Sequence, residues 1–186
     1  MAQEITEKIP PQSLEAEIAV LGSMMIDREA ISQAIELLNE SYFYKNSHKK
    51  IYSAMVKLYD ENKAVDLITL TEELKRTTSL DEVGGPPYIT GLVTSVPTSA
   101  NLLHYAKIVK EKRLLRSLIN AATQIVSDCF SQDEDVDTIV DKAEQAIFDI
   151  TSKKVESRFT PLREIIKNSI ETIDNLYQRK ENITGI

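Results

Sequence analysis

The sequence NLLHYAKIVKEKRLLRSLINAATQIVSDCF, at positions 101–130, decides the fold because it contains neither glycine nor proline. Those two residues are the strongest helix breakers, so their absence predicts one long α-helix. On a helical wheel with about 100° between successive residues, the apolar side chains of residues 114–130 occupy roughly half of the circumference. A helix that packs on one neighbour needs an apolar arc of only about 100°. The segment therefore carries more apolar surface than one neighbouring helix covers.

A second helix is predicted directly after this segment. Beyond a charged turn at 132–135, apolar residues recur at the spacing of one helix face up to position 150. We expect the two helices to form an antiparallel hairpin within residues 98–151, held together by Leu115, Leu118, Ala122, Ile125, Val140, Ala143 and Ile147. The returning helix is expected to cover the middle of the apolar arc. The edge that contains Ile119, Val126 and Phe130 is expected to stay uncovered by that helix. The sequence leaves two alternatives for what covers that edge. It is either the preceding part of the chain or another protein chain.

The part of the chain before the hairpin is predicted to be a compact bundle of short helices at residues 13–97. It follows a polar tail at 1–12. Ser13 and Asp27 are predicted to cap the first two helices, because short oxygen-bearing side chains accept hydrogen bonds from the free amides of a first turn. Together with the hairpin, this bundle predicts an all-α protein.

Two motifs mark the later helices of the bundle. Thr69 and Glu72 have the T-x-x-E spacing of a capping box, in which each side chain satisfies a free backbone amide near the other residue. The run GGPP at 84–87 is predicted to interrupt helical structure, because it joins two flexible residues to two that lack an amide donor. A short helix from Tyr88 to about Thr94 is expected after it.

The last part of the sequence is predicted to contain a separate helix. Residues 152–160 are polar and aperiodic, as in a linker, and residues 161–186 follow with proline in the first turn. The apolar stripe of this last helix consists of Leu162, Ile165, Ile166, Ile173 and Leu176. A helix of about 20 residues gains most of its stability in water by burying such a stripe. We expect the stripe to dock on another subunit or on a domain beyond Ile186; the alternative is that it folds back on the bundle.

The charge balance limits the classes of partner. The chain has 22 basic and 29 acidic residues, a net charge of −7, and so it repels nucleic acid phosphates. Lys110, Lys112, Arg113 and Arg116 are expected to form a solvated helix face, with weak contact to single-stranded DNA as the alternative. No apolar stretch approaches the roughly 20 residues that cross a bilayer, and the first residues lack the features of a secretory signal. These observations, with one cysteine, predict a cytoplasmic protein without a membrane partner.

No catalytic, cofactor-binding or metal site is predicted. The sequence contains no G-x-x-x-x-G-K-[ST], H-E-x-x-H or C-x-x-C motif. His48 and His104 are expected to be ordinary surface or helix residues, and Cys129 is expected to be a buried, unreactive thiol on the apolar arc. The aromatic side chains at 42–44 are expected to pack in the core or between helices rather than to stack on nucleic acid bases.

Five stretches together resemble the DnaB-type bacterial replicative helicases. They are PPQSLEAEIAVLGSMMID at 10–27, VDLIT at 65–69, VPTSANLLHYAKIVKEKRLLRSLI at 96–119, DEDVDTIVDKAEQAIFDI at 133–150 and FTPLREIIKNSIETIDNLYQRKENITGI at 159–186. The Gly84-Gly85 break followed by Tyr88 also fits the family. Each stretch alone is only a modest match to the family, but the order and spacing of the five together are specific. The stretches extend from about residue 10 to the end of the sequence. Pro86-Pro87 departs from the family pattern.

The resemblance implies the N-terminal domain and linker helix of such a helicase, without the RecA-like motor that binds ATP and Mg. It implies ring-shaped hexamers at the bacterial replication fork, with a collar built as a trimer of dimers through the hairpins. It also implies docking of the C-terminal helicase-binding domain of primase, and of a helicase loader on this or another surface. Tyr88, Ile119, Ile125 and Val126 are our predicted partner contacts. The stripe at 162–176 is expected to dock on a motor domain.

Three other functions remain as alternatives. A generic helical dimerisation or adaptor module would self-associate but would not bind primase. A helix-turn-helix DNA-binding protein would need a basic recognition helix, and none is visible in the sequence. An enzyme in its own right would show turnover in the purified protein.

Overall fold

The computed structural model describes residues 9–77, 79–131 and 133–156, with side chains described up to residue 152. This part is helical and contains no strand, which confirms the all-α prediction. Its elements are α1 (Leu14–Ile26), α2 (Arg28–Leu37), a short 3-10 helix (Glu40–Tyr42), α3 (Asn46–Asp60), α4 (Leu67–Arg76), α5 (Gly85–Thr94), α6 (Leu102–Ser131) and α7 (Val136–Glu156). The predicted last helix at 161–186, with Leu162, Ile165, Ile166, Ile173 and Leu176, lies outside the described residues.

α1 is the central helix of the bundle and packs against α2, α3, α5 and α6. Its buried residues are spread over more than one face: Ala16, Glu17, Val20, Leu21, Gly22, Ser23 and Met24. A helix that is apolar almost all round is buried on most sides, and this explains the position of α1. At Gly22 a Cβ atom would lie 2.6 Å from Val96 Cγ2 and would also strike the Leu92 carbonyl oxygen, so only glycine lets α1 approach this segment so closely.

The two predicted N-caps are confirmed. Ser13 Oγ accepts a hydrogen bond from the Ala16 amide at 3.4 Å, and Asp27 accepts one from the Glu29 amide at 2.9 Å. These bonds satisfy amides of the first turn that have no partner inside the helix. The sequence therefore locates the beginnings of α1 and α2 correctly.

The predicted capping box at Thr69 and Glu72 is wrong by one turn. α4 begins at Leu67, and its cap is Asp66, which accepts hydrogen bonds from the amides of Ile68 and Thr69, both at 2.9 Å. The Thr69 hydroxyl accepts the Asp66 amide in return at 3.1 Å. Because an Asp-x-x-Thr pattern precedes the Thr-x-x-Glu pattern in the same stretch, the spacing alone does not identify the real start.

Two helix boundaries differ from the predictions. α5 begins at Gly85 rather than at Tyr88, because both prolines fit the first turn, where amide donors have no partner to lose. Gly84 precedes it with a φ of +96°, a conformation that glycine adopts without strain. α7 continues to Glu156, into the predicted linker at 152–160, because lysine and glutamate are good helix formers without any apolar pattern.

α6 divides into two parts with different surroundings. Its first part buries Leu102, Ala106 and Val109 in the core of the bundle, and α6 packs against α1, α2 and the 3-10 helix. Neither the second part of α6 nor the described part of α7 contains a buried residue. A first compact unit of the chain ends at Ile147, and the described residues 148–156 lie outside it. None of the described helices has both the length and the apolar content needed to cross a membrane.

Candidate protein-interaction surfaces

The second part of α6 exposes a continuous line of apolar side chains on one side. We call it the α6 stripe, and it consists of Leu115, Leu118, Ile119, Ala122, Val126, Cys129 and Phe130. Half or more of Val126 and Phe130 is accessible, at 54% and 84%, and Ile119 is 49% accessible. Side chains three and four positions apart share a helix face, so these residues form one surface rather than scattered exposures.

α7 carries a shorter line of the same kind. The α7 stripe consists of Val136, Val140 and Ile147, which are spaced by four and seven positions and are all exposed. Both stripes belong to the first compact unit. Contiguous exposed apolar side chains make both stripes candidate sites of protein contact.

Most of the side chains predicted to hold the hairpin together are not buried. Leu115, Leu118, Ala122, Val140 and Ile147 are exposed, and only Ile125 and Ala143 are half-buried. The half-buried line of α6 runs instead through Leu114, Ser117, Ala121, Ile125 and Asp128, at one edge of the apolar arc. A helical wheel gives the width of an arc but not the part that a neighbour covers. The uncovered surface therefore includes the middle of the arc as well as the predicted edge, and the predicted burial of Cys129 is wrong for the same reason.

A buried polar cluster lies inside the bundle. Glu17 of α1 and His48 of α3 are 1% and 0% accessible, with 2.6 Å between the carboxylate and Nδ1. The Glu17 carboxylate also accepts the backbone amides of Tyr44 at 2.6 Å and Lys45 at 3.4 Å. His48 Nε2 lies 2.6 Å from the hydroxyl of Tyr88 on α5. The cluster therefore joins three helices and ends at a half-buried tyrosine.

Sequence reasoning missed this cluster. His48 was expected to be an ordinary helix or surface residue, and it is in fact completely buried. Glu17 and Tyr88 lie 31 and 40 positions away along the chain, so no local spacing connects the three. A partial signal was available, since Glu17 stands between apolar residues on a helix that is otherwise nearly all apolar. A charged residue there requires a buried partner.

Arg116 on α6 is not part of a solvated basic face, as the sequence had led us to expect. Its guanidinium donates to the backbone carbonyls of Pro11 at 2.8 Å and Tyr42 at 2.6 Å, and lies 5.6 Å from the centre of the Tyr44 ring. Burial lowers the pKa of Arg116, and the nearby negative charge of Glu17 opposes that shift. Arg116 thus fastens α6 to the segments that surround the buried cluster.

A family model for the DnaB-like helicase N terminal domain matches residues 9–111. The chain belongs to this family. The DnaB-like domain is 41% identical, over all 186 residues, to the replicative DNA helicase DnaC of Bacillus subtilis, and 39% identical to DnaB of Geobacillus stearothermophilus. In both comparisons it spans 41% of the length of the relative.

Solved structures share the fold of this DnaB-like domain. The crystal structure of the N-terminal domain of DnaB helicase from Mycobacterium tuberculosis matches with a TM-score of 0.73 and 40% identity, over 76% of this chain and 99% of that one. A DnaB-like replicative helicase, whose structure was reported with its interactions with primase, matches with a TM-score of 0.56 and 24% identity, over 86% of this chain and 35% of that one. At 24% identity, the second match shows the fold alone.

The predicted partner contacts of this DnaB-like domain fall in two separate places. Ile119 and Val126 belong to the α6 stripe, and Ile125 lies half-buried beside it. Tyr88 lies on α5, which packs against α1 and α4 and carries neither stripe. The described residues contain no group of three or more side chains placed to hold a metal ion.

Proposed function

We propose that this chain is the assembly and docking domain of a replicative helicase: it joins subunits into the N-terminal collar of a hexamer and receives primase. ATP-driven unwinding belongs to the motor domain in this proposal. The observation that carries it is the pair of uncovered stripes on α6 and α7. Each Val, Leu, Ile or Phe side chain contributes about 1.5–3 kcal/mol when it is fully removed from water, so covering the stripes favours association strongly.

Self-association through these helices fits the geometry of the stripes. The α6 stripe is long, apolar and confined to one side, which suits a two-fold interface where the same surface of each copy meets the other. Phe130 and Ile119 are the most exposed apolar side chains near its two ends, and large apolar anchors dominate binding energy once they are desolvated. Three such dimers would complete a collar of six.

Primase is the second proposed partner. Support comes from the family to which the chain belongs and from the related helicase whose structure was reported with its primase interactions. A helicase loader is a further partner of the same assembly in our proposal, on this or another surface, and the stripe at 162–176 would dock on the motor domain. The site of action would be the bacterial cytoplasm at the replication fork.

Light scattering on the chain, alone and with the C-terminal helicase-binding domain of primase, tests the proposal. We expect a mass above that of the 21.0 kDa monomer for the chain alone, and a further increase when the primase domain is added. Self-association without any primase binding would favour the generic adaptor instead. A monomer that ignores the primase domain would contradict the proposal as a whole.

A further inference from the structure

We propose that a lysine-rich groove on α3 receives the acidic turn between α6 and α7 of a neighbouring copy, and that this contact joins dimers into a larger assembly. The inference rests on the proposed function, because it requires the α6 stripe to form the dimer. The juxtaposition that carries it is a basic groove on a chain of net charge −7, together with an acidic turn that does not reach the groove of its own chain.

The groove lies along α3 and has a volume of about 400 Å³. We call it the α3 groove. Its wall carries three partly accessible lysines of α3, namely Lys49, Lys50 and Lys57, and two carboxylates, Glu40 and Glu73. Within the chain α3 packs against α1, α2, α4 and the 3-10 helix. A locally basic surface on an otherwise acidic chain attracts a partner that presents carboxylates.

The positive charge of the α3 groove is only partly compensated by its own chain. Lys57 pairs with Glu73 at 3.0 Å, and Lys50 pairs with Glu82. Lys49, in the first turn of α3, has no acidic partner among the residues that the structure describes. Its ammonium group is therefore the charge that remains for an incoming carboxylate.

The turn between α6 and α7 has the complementary charge. We call it the acidic turn, and its members are exposed: Asp133, Glu134, Asp135 and Asp137. Two of them already have partners, since Glu134 pairs with Lys142 and Asp135 accepts the Thr138 amide at the start of α7. The side chains of Asp133 and Asp137 have no cationic partner in the described part of the chain. They are the carboxylates that a basic groove can bind.

The length of α6 keeps the acidic turn away from the α3 groove of the same chain. Arg116 is fastened to the Tyr42 carbonyl at 2.6 Å, just before α3 begins. From Arg116, α6 continues without interruption to Ser131, a rise of about 22 Å at 1.5 Å per residue. The turn is thus on the order of 20 Å from the start of α3, where Lys49 lies. Only the turn of a neighbouring copy can bring carboxylates to Lys49.

The symmetry of the proposed dimer explains why such a second contact is needed. A two-fold interface uses the same surface on both copies and is complete with two chains. Growth from a dimer to a hexamer therefore requires contact between two different surfaces, and the α3 groove with the acidic turn is such a pair. Each exposed ion pair is weak, but a dimer presents two grooves and two turns, so several contacts act together.

Sedimentation of the unsubstituted chain at two salt concentrations is the first test. Raising the salt from about 0.1 M to about 1 M shortens the Debye length from roughly 10 Å to 3 Å. We expect assemblies larger than a dimer at the lower concentration and the dimer alone at the higher one, because the apolar stripes are not screened. A dimer at both concentrations, or larger assemblies that persist at high salt, would overturn the inference and leave the stripe dimer standing. A monomer at both would overturn the proposed function as well.

Charge reversal at single positions is the second test. Lys49→Glu and Asp133→Lys each turn an attraction into a repulsion, and neither removes an ion pair of the fold. We expect each to raise the Kd for association between dimers by roughly 10-fold or more and to leave the dimer intact. The matched controls are Lys107→Glu on α6 and Glu36→Lys on α2, which make the same charge changes at exposed positions outside the groove and the turn. The controls should leave association unchanged.

A charge swap separates direct contact from an effect on the fold. In the double variant Lys49→Glu with Asp133→Lys, each groove and each turn has its charge reversed, so the attraction between copies returns. We expect this variant to recover the larger assembly, with the helical circular dichroism and thermal midpoint of the unsubstituted chain. Single variants without effect, or a double variant weaker than both singles, would overturn the contact. Loss of the dimer in either single variant would assign that charge to the stripe interface and also overturn the inference.

Discussion

Glu17 and His48 face each other inside the bundle, with 2.6 Å between a carboxylate oxygen and Nδ1 and with almost no solvent access to either side chain. The carboxylate sits where α3 begins and accepts two backbone amides just before that helix. A negative charge at a helix N-terminus is favoured by the helix dipole. Glu17 therefore fixes the backbone just before α3, whereas Lys45 at the N-cap position makes no side-chain hydrogen bond to the first turn.

Replacement of Glu17 by glutamine should destabilise the fold by about 3 kcal/mol, because it leaves buried donors facing an amide that cannot accept from all of them. Urea denaturation followed by circular dichroism measures the loss. Glu15→Gln is the matched control, since Glu15 lies in the same first turn of α1 and is exposed. Equal stabilities of the two variants would show that the buried carboxylate does not hold the cluster together.

Two glycines should respond to alanine with opposite signs. Gly22→Ala should reduce the free energy of unfolding by about 2 kcal/mol, since the new methyl group meets Val96 and the Leu92 carbonyl. Gly91→Ala should increase it by roughly 0.5–1 kcal/mol, because nothing lies within 4 Å of a Cβ there and alanine is the better helix former. Thermal and urea unfolding of both variants measure the difference. A Gly22→Ala variant with the same free energy of unfolding as the unsubstituted chain would contradict the close approach of α1 to Leu92 and Val96.

Glu73 should make stability depend on pH in the acid range. The Arg76 guanidinium at 2.8 Å, with Lys57 at 3.0 Å, lowers the pKa of Glu73 to about 2 from an ordinary value of 4.5. A carboxylate whose folded pKa is depressed stabilises the fold above its unfolded pKa, and the contribution is lost as pH falls toward the folded pKa. The stability difference between the unsubstituted chain and Glu73→Gln should be largest above about pH 5 and should vanish near pH 2.

The neighbouring residue gives the control for this titration. Glu72 pairs with Lys75 at 2.7 Å, but its side chain is 65% accessible. Exposed ion pairs contribute little to the free energy of unfolding. Glu72→Gln should therefore change that free energy by less than about 0.5 kcal/mol at any pH. A Glu73→Gln difference that does not vary between pH 7 and pH 3 would contradict the depressed pKa.

The helices themselves are the part of the fold that the sequence predicts well. The thirty residues of α6 follow from the absence of glycine and proline, and Ser13 and Asp27 mark real helix starts. These features depend on interactions within a few residues of the chain. The capping box at Asp66 shows the limit, because Asp66 with Thr69 and Thr69 with Glu72 have the same spacing, and the spacing does not identify the real start of α4.

The candidate interaction surfaces could be predicted only in part from the sequence, for two physical reasons. The excess of apolar surface on α6 can be read from its wheel, but the covered edge depends on how its neighbours are placed. As a result Leu118 and Ala122, expected inside the hairpin, are exposed. The buried cluster depends on contacts between distant segments. No periodicity links Glu17 to His48 or His48 to Tyr88, and a single sequence does not reveal such a link.

The central claim is that the α6 stripe is covered by another copy of the chain, and the solution mass of one pair of variants tests it most directly. Ile119→Asp places a charge on the stripe, and Asn120→Asp places the same charge on the next residue, which is exposed but outside the stripe. We predict a dimer or larger assembly for the unsubstituted chain and for Asn120→Asp, and a helical 21.0 kDa monomer for Ile119→Asp. An Ile119→Asp variant with unchanged mass, or one that loses its helical circular dichroism because the side chain is core, would contradict the account.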